Sequence, residues 1–135
     1  MVSHVKNFKL RGFTLIELMI AMAVISILLS VAVPQYNKAL VRSKETILRQ
    51  NLFTMRNVID EYTYDKGKAP QTLEEIVQAG YLRKVPVDPM TGTDQSWKII
   101  MEDPSNTVDQ SEPGIFDVRS GSDKTSLEGT PYSEW

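Results

Sequence analysis

The residue whose chemistry stands out is Glu17, the single charge in the run Phe13 to Val33, FTLIELMIAMAVISILLSVAV. A carboxylate in such a stretch needs a cation beside it or a route to water, because low-dielectric surroundings penalise an unpaired charge. The other usual reaction centres are missing. The sequence has no cysteine, and its one histidine, His4, lies in the first dozen residues. Disulfides, thiolate nucleophiles and thiol-bound metals are therefore excluded, and beyond residue 12 so are histidine triads and the common zinc sites. No nucleophile constellation marks the remainder, so the sequence predicts a protein that is not an enzyme.

The element that must carry Glu17 is a membrane helix. Twenty-one residues at about 1.5 Å each span roughly 30 Å, the thickness of a bilayer core. Twelve of them are Phe, Leu, Ile or Val, and together they favour insertion by about 4–7 kcal/mol against roughly 3 kcal/mol for one charged carboxylate at mid-bilayer. Insertion wins. Three bases (Lys6, Lys9, Arg11) and no acid precede the run. A cleaved secretory signal would place its cut near Ala21-Met22-Ala23, but an acid inside its apolar core and ten more apolar-rich residues after that site fit poorly. An ordinary signal anchor, holding a periplasmic enzyme, would leave Glu17 without a role.

Charge is unevenly spread although the net value is only -2. From Pro34 to Lys68 seven bases face four acids, and from Ala69 to Trp135 five bases face twelve acids. A basic stem bears an acidic head, and the balance gives no reason to expect nucleic acid. Val41, Leu48, Leu52, Met55, Ile59 and Tyr62 follow helical spacing with Glu45 in the one skipped slot, which predicts an amphipathic helix from about Gln35 to Tyr64. Pro34 inside that pattern predicts a kink or local melting, since it cannot donate to the Ser30 carbonyl. Lys66 to Pro70 ends the stem. Thr72-Leu73-Glu74-Glu75 has the form of a capping box and starts a short helix with Leu73, Ile76 and Val77 buried and Gly80 near its end. Ser96 to Glu102 and Gly114 to Arg119 read as strands joined by a polar connection, 103–113. Trp97, Ile99 and Met101 are expected on one side, with Phe116 and Val118 facing inward and Trp97 a core residue. Ser120 to Trp135 has loop composition.

Arg11-Gly12-Phe13-Thr14-Leu15-Ile16-Glu17-Leu18 closely resembles the leader junction of type IV pilins and pseudopilins. The resemblance implies an α+β pilin fold: a long N-terminal helix, membrane-spanning in its first half and amphipathic in its second, packed on a small antiparallel β-sheet head. It divides the chain into a leader (1–12), a transmembrane and assembly helix (13–33), a stem (34–65) and a head (66–135). It further implies that a prepilin peptidase cuts between Gly12 and Phe13 and that the Phe13 amine is N-methylated. Glu17 then neutralises that amine, preferably on a neighbouring subunit. Ile25 to Pro34 would loosen in the polymer. The implied location is the bacterial inner membrane, N-terminus cytoplasmic and head periplasmic, followed by a periplasmic filament.

Val85-Pro86-Val87-Asp88-Pro89-Met90-Thr91-Gly92 is similar to the P-x-D-P loop of type II secretion major pseudopilins, with Met90 where an aromatic is usual. The expected role is a homopolymeric pseudopilus subunit working with other pseudopilins and an inner-membrane assembly platform. A major or minor type IV pilin for adhesion, motility or DNA uptake is the alternative. The pseudopilin resemblance also raises calcium at the C-terminal loop, with Asp117, Asp123, Glu128 and Ser133 as the candidate donors. The sequence departs from that pattern over Gly129 to Ser133, and the competing expectation is a solvated loop pinned by Tyr132 and Trp135.

Overall fold

The apolar run and the apolar stripe that follows it are realised in the computed structural model as one helix, α1, Leu15–Lys66, with Pro34 inside it. The structure describes residues 11–106 and 112–135. It divides into two compact units, 1–38 and 39–135.

In the first unit the side chains from Phe13 through Val33 are exposed, and α1 contains a window long and apolar enough to cross a membrane. Pro34 sits within regular helix. The predicted local melting is therefore absent: the helix continues through Pro34, which only forgoes the one bond its missing N–H cannot make. Ser26 and Ser30 fold their hydroxyls back onto the carbonyls of Met22 (2.8 Å) and Ile27 (2.6 Å), which hides two polar groups inside an apolar surface.

In the second unit the stripe Leu48, Leu52, Met55, Val58, Ile59 and Tyr62 is buried, and so is Glu45. Short helix α2, Leu73–Gln78, lays Leu73 and Ile76 onto this face. Thr72 caps it by accepting from Glu75 N at 3.2 Å. The return bond of the box runs from Gln71 N to Glu75 Oε2 at 2.7 Å, one residue earlier than the usual pairing. The helix closes on Gly80, whose φ of 87° an L side chain rarely adopts.

The sheet is a two-stranded antiparallel hairpin, β1 (Lys98–Met101) with β2 (Ile115–Arg119). Of its connection, 107–111 lie outside the described residues. Lys98 faces Arg119, Ile99 faces Val118 and Ile100 faces Asp117, but Met101 faces Ile115, so Phe116 is an extra residue in β2. This bulge corrects the predicted facing. Strict alternation would bury Phe116 with Val118, whereas the bulge shifts the phase so that Ile115 and Val118 are buried and Phe116 is 67% exposed. Ile99 and Met101 are likewise exposed while Trp97, just ahead of β1, is buried and donates its indole N–H to the Pro86 carbonyl at 2.7 Å. The segment after β2 holds a bridge between Thr125 and Pro131 and a 3-10 turn, Tyr132–Glu134.

Candidate functional site

Thr14 is the N-cap of α1, just ahead of Leu15. Its Oγ1 accepts from Glu17 N at 3.2 Å, and its carbonyl accepts from Leu18 N at 3.2 Å. Thr14-x-x-Glu17 is itself a capping-box pattern, a signal that reading Glu17 only as an assembly residue overlooks. Glu17 thus sits in the first turn, where the positive end of the helix favours a carboxylate. Gly12 and Phe13 precede the helix and are exposed, Phe13 at 89%. Phe13 lies outside the helix and Glu17 within its first turn, so the two are not successive positions of one helix. Phe13, Thr14, Leu18 and Ala21 border a concave surface with Glu17. Lys6, Lys9 and His4 lie outside the described residues.

Three buried or half-buried charged side chains organise the head. Glu45 takes two bonds on Oε1, from Tyr132 Oη and from Leu127 N, each 2.8 Å. Burial, followed by this carboxylate, pushes the Tyr132 phenol up to about 12. Asp88 is fully buried: Oδ2 accepts from Ser120 Oγ (2.6 Å) and Gly121 N (3.2 Å), and Oδ1 from Met90 N (2.8 Å). The P-x-D-P loop is thereby tied to the end of β2. The close approach requires Gly121, where a Cβ would overlap the Ser96 carbonyl.

Arg56 is the third. Its Nε meets Asp117 Oδ1 at 2.7 Å, and its Nη2 donates to the carbonyl of Val118 (3.1 Å) and to the main-chain oxygen of Trp135 (2.8 Å). Trp135 stacks edge-on against Tyr132, lies beneath the Arg49 guanidinium and donates its indole N–H to Thr130 Oγ1. On the opposite end of the stem, Tyr62 donates to Glu75 Oε1 at 2.6 Å. That bond, then burial, raises the Tyr62 phenol to about 12, and the same bond holds Glu75 below its ordinary value.

The four calcium candidates have different surroundings. Asp117 Oδ1 is taken by Arg56 and by Val118 N, with Arg119 Nε 4.0 Å from Oδ2. Glu128 pairs with Arg49 at 3.4 Å, while Asp123 is exposed and Ser133 lies in the 3-10 turn. Among the described residues no group of three acids is placed to hold a metal ion. Tyr132, through Glu45, and Trp135, through Arg56, tie the C-terminal loop to the stem. The signal for its partners was Glu45 in the skipped slot of the apolar stripe.

The prokaryotic N-terminal methylation motif matches residues 8–33. Among curated proteins, the type II secretion system core protein G of Escherichia coli is 32% identical over 101 residues, covering 60% of this chain and 67% of the relative. That of Klebsiella pneumoniae is 31% identical, covering 58% and 68%. The type IV major fimbrial protein FimA of Dichelobacter nodosus is 41% identical over 61 residues, covering 45% of this chain but only 38% of its own length. The chain spans under two thirds of that protein and 66% of the Pseudomonas aeruginosa core protein G. No solved structure gives a significant match. An apolar N-terminal helix, the methylation motif and the α+β head define a type IV pilin-like protein, and within that class the chain belongs to the family of type II secretion system core protein G.

Proposed function

We propose that this chain is a non-enzymatic structural subunit of a type II secretion pseudopilus. Prepilin peptidase removes residues 1–12, the Phe13 amine is methylated, and the product polymerises from the inner membrane into a filament that supports export across the outer membrane. Partners are further copies of the chain, other pseudopilins and the assembly platform. Supporting this choice over a pilin is the reach of the similarity. Core protein G alignments cover 58–60% of the chain, against 45% for FimA and 52% for the major pilin PilA of Myxococcus xanthus. The loop carrying Asp88 is also built into the head rather than standing free.

Glu17 is the assembly residue in this reading. Fixed in the first turn of α1 and exposed to a lateral neighbour, it meets the amine that cleavage creates at Phe13 of an adjoining subunit. Each charge neutralises the other where hydrocarbon would penalise both. Three measurements test the proposal. The mass of the protein recovered from membranes should correspond to residues 13–135 plus one methyl group. Glu17→Leu should insert normally yet fail to form filaments, and the wild-type gene should restore exoprotein export to a strain lacking its own core protein G. Restoration of surface pili without export would favour a type IV pilin, the second reading, for which the 41% identity to FimA speaks.

A further inference from the structure

We infer that the head is held closed by the chain's own cation, Arg56, and folds and persists without calcium. The inference concerns the head alone and stands whether the filament serves secretion or a pilus. Arg56 is surrounded by three oxygens of different origin: a carboxylate oxygen of Asp117, the Val118 carbonyl and the Trp135 main-chain oxygen. Carboxylate and main-chain oxygens converging from a strand and a following loop are the donors a hard divalent ion would call for. Here a guanidinium meets them with directed N–H bonds, and its charge opposes a second cation at the same oxygens.

The rest of the loop is satisfied in the same internal way. Ser126 N bonds the Thr130 carbonyl at 2.8 Å, Gly129 N bonds the Ser126 carbonyl at 3.0 Å, and the Ser126 and Thr130 hydroxyls meet at 2.9 Å. Glu45 takes the Leu127 amide and the Tyr132 hydroxyl, and Glu128 is drawn to Arg49. The Ser126 and Thr130 carbonyls, Glu45 Oε1 and Glu128 Oε2 are thus already bonded to donors of the chain. Arg56 and Glu45 lie on the stem helix, so they fasten the loop to the element that carries the core stripe.

The test uses the full chain in detergent, with unfolding followed by tryptophan fluorescence. Both tryptophans, Trp97 and Trp135, lie in the head. The midpoint should move by less than about 1 °C between excess calcium chloride and EDTA, and calorimetric titration with calcium should give no binding heat. A site present at 100 times its dissociation constant would raise the midpoint by roughly 10 °C or more, and that result overturns the inference. Arg56→Met should speed proteolysis within 120–135 and red-shift Trp135 emission, with or without calcium. Protection equal to wild type in Arg56→Met also overturns it. Arg56→Lys, which keeps charge but not the fork of donors, should fall between the two; should Arg56→Met not fold, Arg56→Lys and the calcium titration decide.

Discussion

Removing the carboxylate of Glu45 gives the sharpest stability test of the head. Glu45→Ala deletes the shared acceptor of Tyr132 Oη and Leu127 N. The buried phenol loses its partner at about 1–3 kcal/mol, and the amide, nearer the surface, loses about 1 kcal/mol. The sum is near 3 kcal/mol, a large part of an ordinary domain's stability. At roughly 4–8 °C per kcal/mol for a domain of up to about 100 residues, the midpoint should drop by roughly 12–24 °C. Glu45→Gln keeps an oxygen in place and gives up only the charge assistance of two bonds, so a loss near 1 kcal/mol, or about 4–8 °C, is expected. The assay is thermal unfolding of the full chain in detergent by tryptophan fluorescence, with Tyr132→Phe completing a double-mutant cycle. A shift under about 4 °C for Glu45→Ala, or equal losses for the Ala and Gln variants, would show that the acceptor is not what holds the loop.

Asp88→Asn should destabilise the head by about 2 kcal/mol in a denaturant titration, because an amide nitrogen turned toward Ser120 Oγ or Gly121 N opposes a donor. Gly121→Ala should lose at least about 1–3 kcal/mol, since the new methyl must displace the Ser96 carbonyl. Tyr62 and Tyr132 both have folded values near 12 against an ordinary 10. The stability they add is complete below pH 10 and is lost as pH rises from 10 through 12, so unfolding midpoints should fall across that window and fall less in Tyr132→Phe. Glu75 is shifted the other way. Its contribution is present above about pH 4.5 and lost as pH drops below that, an acid-side loss that Tyr62→Phe should diminish because their bond is the main cause. In the filament, Ile25 to Pro34 should be partly unwound in a density map, and Pro34→Ala, which restores a helical bond at about 3 kcal/mol, should keep that segment helical and lower filament yield.

Much of this architecture is written locally. Apolar residues at Leu48, Leu52, Met55, Ile59 and Tyr62 dictate the buried stem face because a helix repeats every 3.6 residues, and the structure buries all five. Thr72 and Glu75 announce the start of α2, and Gly80 its end, through bonds that reach only a few residues. The length and apolarity of Phe13 to Val33 define a membrane-length helix, and Arg11 to Glu17 carry the junction pattern with no help from the rest of the fold. Pairings across the chain were not legible in this way. The bulge at Phe116 depends on how β2 meets β1, so alternation alone placed Phe116 inside. Arg56 with Asp117, Glu45 with Tyr132 and Asp88 with Ser120 join residues 61, 87 and 32 positions apart. A charged residue's sequence neighbours do not say which distant group will lose its water beside it. Only the folded packing of stem, loop and strand makes that choice, and with it turns an acid in an apolar stripe and a half-exposed arginine into the clasps of the head.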